Sequence, residues 1–237
     1  MLASLSFSEK QELASLLEER ARRKARRKLF SLYPDDGPLR RALYAKHLQF
    51  FAAGTTHTER AAIAANRVGK SFGIGGYETA LHLTGHYPDW WVGRRFDHPI
   101  DAWAAGDTTE TTRDIIQLIL LGPHGEYGTG LIPGADIVGD PTHRGGVAQA
   151  VDTVRVRHVS GGVSTLGFKS YDQGRRKFQG TAKHVVWLDE EPPEDVYSEC
   201  MARLMTTGGL MISTFTPLEG LSNVVLKYLP EMAPSVE

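Results

Sequence analysis

Ala61-Ala62-Ile63-Ala64-Ala65-Asn66-Arg67-Val68-Gly69-Lys70-Ser71-Phe72 is the stretch that decides the fold. Residues 61–65 form an apolar run of strand length, and the helix that follows carries Phe72, Ile74 and Tyr77. Between them, Ala64 to Ser71 fits the pattern G-x-x-x-x-G-K-[ST], with alanine in place of the first glycine. The physical logic survives that replacement. A strand ends, a loop turns its backbone N–H groups inward, and a helix begins behind the phosphates of a nucleotide. Lys70 then reaches the β- and γ-phosphates of ATP, and the Ser71 hydroxyl holds Mg²⁺. Ala65, Asn66, Arg67, Val68, Gly69 and Phe72 complete this nucleotide-binding loop. A bare Gly-Lys-Ser also occurs in unrelated strand-to-helix turns; the flanking apolar strand and helix favour the phosphate cradle.

Far downstream, Val185-Val186-Trp187-Leu188-Asp189-Glu190 is an apolar strand ending in two acids. Asp189 is placed to hold Mg²⁺, mostly through water, and Glu190 to orient and deprotonate the attacking water. The bland alternative is an acidic cap ahead of the helix that opens at Pro192-Pro193. Other segments complete an α/β pattern. Strands are expected at 102–105, 185–188 and 210–213, and a hairpin at 151–159 and 164–170 around Ser160-Gly161-Gly162. Asp107 with Glu110 marks the start of a helix over 111–121. Residues 122–146, rich in Gly and Pro, read as an irregular surface excursion.

The 237 residues carry 23% charged and 41% hydrophobic side chains, the balance of an ordinary globular chain. The single cysteine, Cys200, leaves no intramolecular disulfide and no cysteine-based zinc cluster, and no apolar run approaches the length of a membrane span. The net charge of -1 conceals an asymmetry: residues 1–48 hold eleven Lys/Arg against six Asp/Glu. Seven of the nine residues 20–28 are basic. Residues 1–33 read as a basic helical arm, with leucines 13, 16 and 17 at helical spacing, and 39–51 as a second helix. The arm could bind phosphates, dock on an acidic neighbour, or simply solvate a helix end.

Further motifs, taken together, resemble the large terminase subunits of tailed bacteriophages. These are Ser170-Tyr171-Asp172-Gln173-Gly174-Arg175-Arg176-Lys177-Phe178-Gln179-Gly180, Val186-Trp187-Leu188-Asp189-Glu190-Glu191-Pro192, Thr112-Arg113-Asp114, Gly130-Leu131-Ile132-Pro133 and Ser213-Thr214-Phe215-Thr216-Pro217-Leu218-Glu219-Gly220. The resemblance implies a three-layer α/β P-loop NTPase of the ASCE or RecA-like type, with a mostly parallel central sheet. It implies a motor that couples ATP hydrolysis to movement of double-stranded DNA into a procapsid. It works as a homo-oligomeric ring with a portal protein and a small terminase subunit, in the cytoplasm of the infected host. Thr214 and Thr216 would couple the γ-phosphate state to movement. Gln49 resembles the family's adenine contact, and Arg67 its phosphate-directed arginine. A trans-acting arginine is expected just before the strand that ends in Asp189-Glu190; Gln179 breaks the match at the usual place, so Arg175, or else Arg176, would serve.

On this reading residues 1–33 are the arm and 34–237 the ATPase domain. The nuclease domain typical of the family is expected to be absent from this chain, and DNA cleavage with it. Two rivals stay open. A helicase-like nucleic-acid-dependent ATPase needs a second lobe, and a nucleotide-dependent interaction module would turn over little ATP. His82 and His86, four apart, could share a metal on one helix face, but no third ligand is evident. Trp90-Trp91 is read first as a core or loop anchor and only second as a base-stacking pair.

Overall fold

The computed structural model describes residues 7–218 and 220–232, apart from the side chains of residues 7, 9 and 20–27. Helix α1 (Phe7–Ser31) forms the arm; the basic run that suggests a binding surface lies outside the described side chains, except Lys28. A 3₁₀ turn (Arg41–Tyr44) leads into α2 (Ala45–Ala53). Strand β1 (Glu59–Ile63) ends two residues earlier than its apolar run, because the chain leaves the sheet at Ala64 to start the loop.

A seven-stranded sheet follows in the order β1-β7-β6-β2-β5-β4-β3, where β2 is Asp101–Gly106, β3 Thr142–His143, β4 Val151–Arg157, β5 Val163–Ser170, β6 Val185–Asp189 and β7 Leu210–Phe215. The five strands from β1 to β5 in this order run parallel, and β4 and β3 add antiparallel. β7 thus stands between the loop-bearing β1 and the Asp-Glu strand β6.

Both faces of this sheet are covered, and the period-2 alternation of its strands shows by what. Ala102, Ala104, Val185, Trp187, Leu210 and Ile212 face a layer containing α3 (Tyr77–Thr84) and the helical stretch 109–121, where they join Tyr77, Leu81, Ile116 and Leu120. Their neighbours Trp103, Ala105, Val186, Leu188 and Met211 point the other way, to Val196, Tyr197, Cys200 and Leu204 of α6 (Glu194–Met205) and Val224 of α7 (Asn223–Tyr228). Strands buried on both faces must be apolar throughout, which is why they read as continuous runs. Three layers result.

Stretch 109–121 is composite: α4 (Thr109–Thr111), a π-helical segment Thr112–Gln117, and α5 (Leu118–Leu121). Its cap is Thr108, whose hydroxyl accepts from the Thr111 N–H while Thr111 returns a bond to Thr108, so the capping box lies one residue later than Asp107 suggests. α7 is not evident from periodicity, being six residues long and capped by Ser222.

The helix behind the loop also begins in π form, Lys70–Gly76, before α3. Gly75 explains how closely it sits on the sheet: a Cβ there would lie 2.1 Å from Nε1 of the fully buried Trp187. Gly75→Ala is therefore expected to cost about 1–3 kcal/mol of stability, as overpacked cores do. A thermal midpoint equal to the parent's would contradict that contact.

One polar cluster is sealed beneath α2 and α3. Arg60 of β1 holds Glu78 with both terminal nitrogens, at 3.1 and 2.8 Å, and donates to the Phe50 carbonyl of α2 at 2.7 Å. Glu78 also accepts from His82 Nε2 at 3.1 Å; the other ring nitrogen accepts from the Tyr87 hydroxyl at 2.8 Å, whose oxygen in turn takes the Phe96 N–H. Every proton in this chain is placed with His82 neutral, in keeping with burial that lowers its pKa. His86 turns instead to Asp136, so the two histidines serve separate partners. Trp91 is core against Phe51, and Trp90 lies under Arg41.

Candidate active site

The carboxyl ends of β1, β6 and β7 meet on one edge of the sheet, where open α/β sheets bind ligands. Register places Ile63 beside Phe215 and Asp189 beside Thr214, so the loop after β1, the Asp-Glu pair and the end of β7 converge.

In the loop, Gly69 has φ 87° and Arg67 φ 64°, both in the left-handed region. For arginine that conformation is uncommon, and such strain gathers at ligand clamps. Ala65, Asn66, Arg67 and Val68 are exposed, whereas Lys70 is buried and Phe72 half-buried. The Lys70 ammonium donates to the Ala64 and Ala65 carbonyls, each at 2.8 Å, and to the Thr216 hydroxyl at 2.9 Å. The Thr216 hydroxyl is also 2.8 Å from the Ala64 carbonyl and from Asn66 Oδ1.

Thr214, two residues earlier, performs the matching task on the other side. It accepts from Trp187 Nε1 and donates to Asp189 Oδ1, both at 2.7 Å. Asp189 is 3% exposed. Burial lifts the pKa of its carboxyl to about 6, although hydrogen bonds from Thr214 and Ser71 and the charge of Lys70 favour the ionised form. A desolvated carboxylate beside a serine hydroxyl is a donor set suited to a hard cation such as Mg²⁺. Ser71 and Asp189 would hold the ion, whose charge would neutralise phosphate oxygens.

Glu190 follows with φ 65°, its N–H on the Thr214 carbonyl at 3.0 Å and its side chain exposed. The buried Tyr171 hydroxyl lies 3.0 Å from the Asp189 carbonyl and 3.1 Å from that of Glu190, pinning the turn from below. Glu190 lines a cavity of about 600 Å³ with Asp107, Glu191, Thr216, Leu218 and Asn223. Four acids, Asp107, Glu190, Glu191 and Glu194, line this cavity, and Lys70 reaches its edge through Thr216.

Two further residues named from the sequence take no part in the hydrogen bonds just described. Gln49 is exposed on α2, and it is His47 of the same helix that touches the loop. Arg175 lies on a 3₁₀ turn (Arg175–Phe178) beside α6, its Nε donating to Glu199 at 2.8 Å. Tyr33 and His47 are not marked out by the sequence, and Trp187 and Tyr171 appear there only as members of longer motifs, because aromatic residues in apolar surroundings give no sign there that a polar atom reaches a functional backbone.

The family described as terminase large subunit, T4likevirus-type, N-terminal, matches residues 62–236. The chain belongs to the terminase large subunit family. The large terminase subunit of Salmonella phage P22 is 37% identical over 258 aligned positions, which cover 99% of this chain and 49% of that protein. The chain thus spans about half the length of this terminase relative. Among solved structures, the large terminase ATPase domain of Thermus phage P74-26 gives a TM-score of 0.48 at 17% identity, covering 71% of this chain and 63% of that one. The large terminase of another thermophilic bacteriophage, in complex with ADP, gives 0.45 at 12%, covering 81% and 50%. At these scores the structural likenesses add nothing to the strand order read directly from the sheet.

Proposed function

We propose that this terminase chain is an ATP-hydrolysing motor domain that couples ATP turnover to translocation of double-stranded DNA into a procapsid. The observation that carries the reading is the paired bridging by β7: Thr216 contacts Lys70, and Thr214 contacts Asp189. In the reaction, water attacks the γ-phosphorus in line and the bond to the ADP oxygen breaks. Glu190 takes the proton of the attacking water; Lys70, Arg67 and the backbone of Ala65–Phe72 hold the phosphates; Ser71 and Asp189 would hold Mg²⁺, which would supply charge neutralisation. Gln49 would contact adenine. The proposed partners are DNA, a portal protein, a small terminase subunit and further copies of the chain in a ring, in the host cytoplasm. Among the described residues, no helix is long and apolar enough to cross a membrane.

Arg175 fits a role in trans: only its Nε is engaged by Glu199, and the side chain is half exposed. Mg²⁺-dependent ATP hydrolysis is expected in the parent chain and lost in Lys70→Ala, with activity per chain rising as concentration brings copies together. Mixing Arg175→Ala with Glu190→Gln chains should restore part of the activity, since one interface then has an intact base and arginine. Hydrolysis by Lys70→Ala at the parental rate would overturn the ATPase reading; a strictly linear rate without rescue would remove Arg175 from it.

A further inference from the structure

The phosphate loop is braced from a side that the proposed chemistry does not use. Tyr33, just beyond α1, is 4% exposed and has φ 56°, a left-handed conformation unusual for a bulky residue. Its ring meets those of Tyr44, His47, Phe51, Tyr77 and Trp90 edge-on, with centroids 5.1 to 5.9 Å away. At the centre of this packing its hydroxyl lies 2.6 Å from the Gly73 carbonyl and 2.7 Å from His47 Nδ1.

The π turn explains why Gly73 needs that hydroxyl. In an α-helix the Tyr77 N–H would bond to the Gly73 carbonyl; here it reaches Phe72 and Ile74 instead and passes Gly73 by. A buried carbonyl is stabilised by every donor that reaches it, and the Tyr33 hydroxyl supplies one to Gly73 where the Tyr77 amide does not. Because a carbonyl can only accept, the single phenolic proton goes to Gly73, and His47 Nδ1 must donate to the Tyr33 oxygen. Burial pushes the Tyr33 hydroxyl far above its ordinary pKa, so the donor stays protonated. The imidazole of His47 packs against the main chain of the loop. Its Cε1 lies so near the backbone that a Cβ on Gly69 or Gly73 would be 3.4 or 3.2 Å from it. A hydrogen-bonded chain therefore runs from Gly73 through Tyr33 to His47, whose ring packs against the backbone at Gly69, so the pair spans the segment that contains Gly69, Lys70 and Ser71.

We propose that Tyr33 and His47 are positioning residues that fix the two ends of the phosphate loop relative to each other and thereby set its affinity for a nucleoside diphosphate. The inference rests on the nucleotide-binding reading above. It also places the root of α1 in contact with the loop's backbone, two residues after the arm ends.

Tyr33→Phe keeps the aromatic packing and removes only the hydroxyl. It should weaken MgADP binding by about tenfold, the usual consequence of one buried polar group left without its partner. His47→Leu should do the same, and the double variant should be no weaker than either, because both break one chain. His47→Gln retains an N–H that can reach Tyr33 and should recover part of the loss. Tyr44→Phe, in the same aromatic cluster, should leave the affinity as it was. MgADP affinity within twofold of the parent in Tyr33→Phe, with a lowered thermal midpoint only, would reduce Tyr33 to a packing role and overturn the proposal. Should Tyr33→Phe not fold, equal affinities in His47→Gln, His47→Leu and the parent would overturn it. A parent chain that binds no MgADP, or a Lys70→Ala variant that binds it equally, would instead remove the nucleotide reading on which it stands.

Discussion

Glu190→Gln is expected to bind MgATP as the parent does while turnover falls by about 10²–10⁴-fold, the usual worth of a positioned general base. The geometry makes this a clean substitution. Main-chain bonds to Thr214 and from Tyr171 hold the Glu190 backbone at φ 65°, and these do not depend on the carboxylate. The exposed side chain has space for an amide of the same shape. What changes is basicity: an amide cannot accept the proton of the attacking water. Steady-state hydrolysis, measured alongside equilibrium nucleotide binding, separates the two functions. Undiminished turnover would sink the assignment of Glu190 and pass the role to another acid of the cleft, of which Asp107 and Glu191 line the same cavity.

Arg60→Ala is expected to cost about 3–5 kcal/mol, the penalty for leaving a buried charge without its partner. Glu78 is fully buried, with Arg60 and His82 around it. Burial alone would raise its pKa, but Arg60 first and then His82 outweigh that and hold it below the ordinary carboxylate value of 4.5. The sign of the pH dependence follows. A depressed carboxylate contributes stability above 4.5 that is lost as pH falls through its folded pKa. His82, lowered by burial from 6.5, stays neutral in the fold and must charge on acidification, so its contribution also declines below 6.5. Both act in one direction: urea midpoints should fall as pH drops from neutral. Arg60→Ala should lose most of its excess cost once Glu78 is protonated. A variant as stable as the parent at neutral pH would show that the cluster is not the anchor its geometry describes.

Much of this is legible in the chain, for reasons that can be stated. Strands β2, β6 and β7 are buried on both faces and therefore show as short apolar runs, 102–105, 185–188 and 210–212. Lys70, Ser71, Asp189 and Glu190 announce themselves because glycine before lysine, and paired acids after such a run, have few structural uses. The rest depends on distance in sequence. That Thr216 reaches Lys70, 146 residues away, follows only from β7 entering between β1 and β6. The Thr108 cap is hidden because Asp107 offers the same chemistry one residue earlier, and only backbone geometry selects between them. Arg175 stands out by its neighbours in sequence, and its ion pair with Glu199 of α6 is invisible there.

The position of β7 has a mechanical consequence. A strand bonded on both sides cannot slide without breaking two ladders at once, so it carries load along its length as a stiff rod. Its six residues, at about 3.3 Å each, span roughly 20 Å. One end ties the loop lysine through Thr216. At the other, Leu210 bonds the His184 carbonyl and Arg94 grips the Gly208 carbonyl just beyond. The strand thereby joins the phosphate edge to the opposite rim of the sheet by a continuous hydrogen-bonded path. That rim is built from the turns around Arg94, His184 and Gly208.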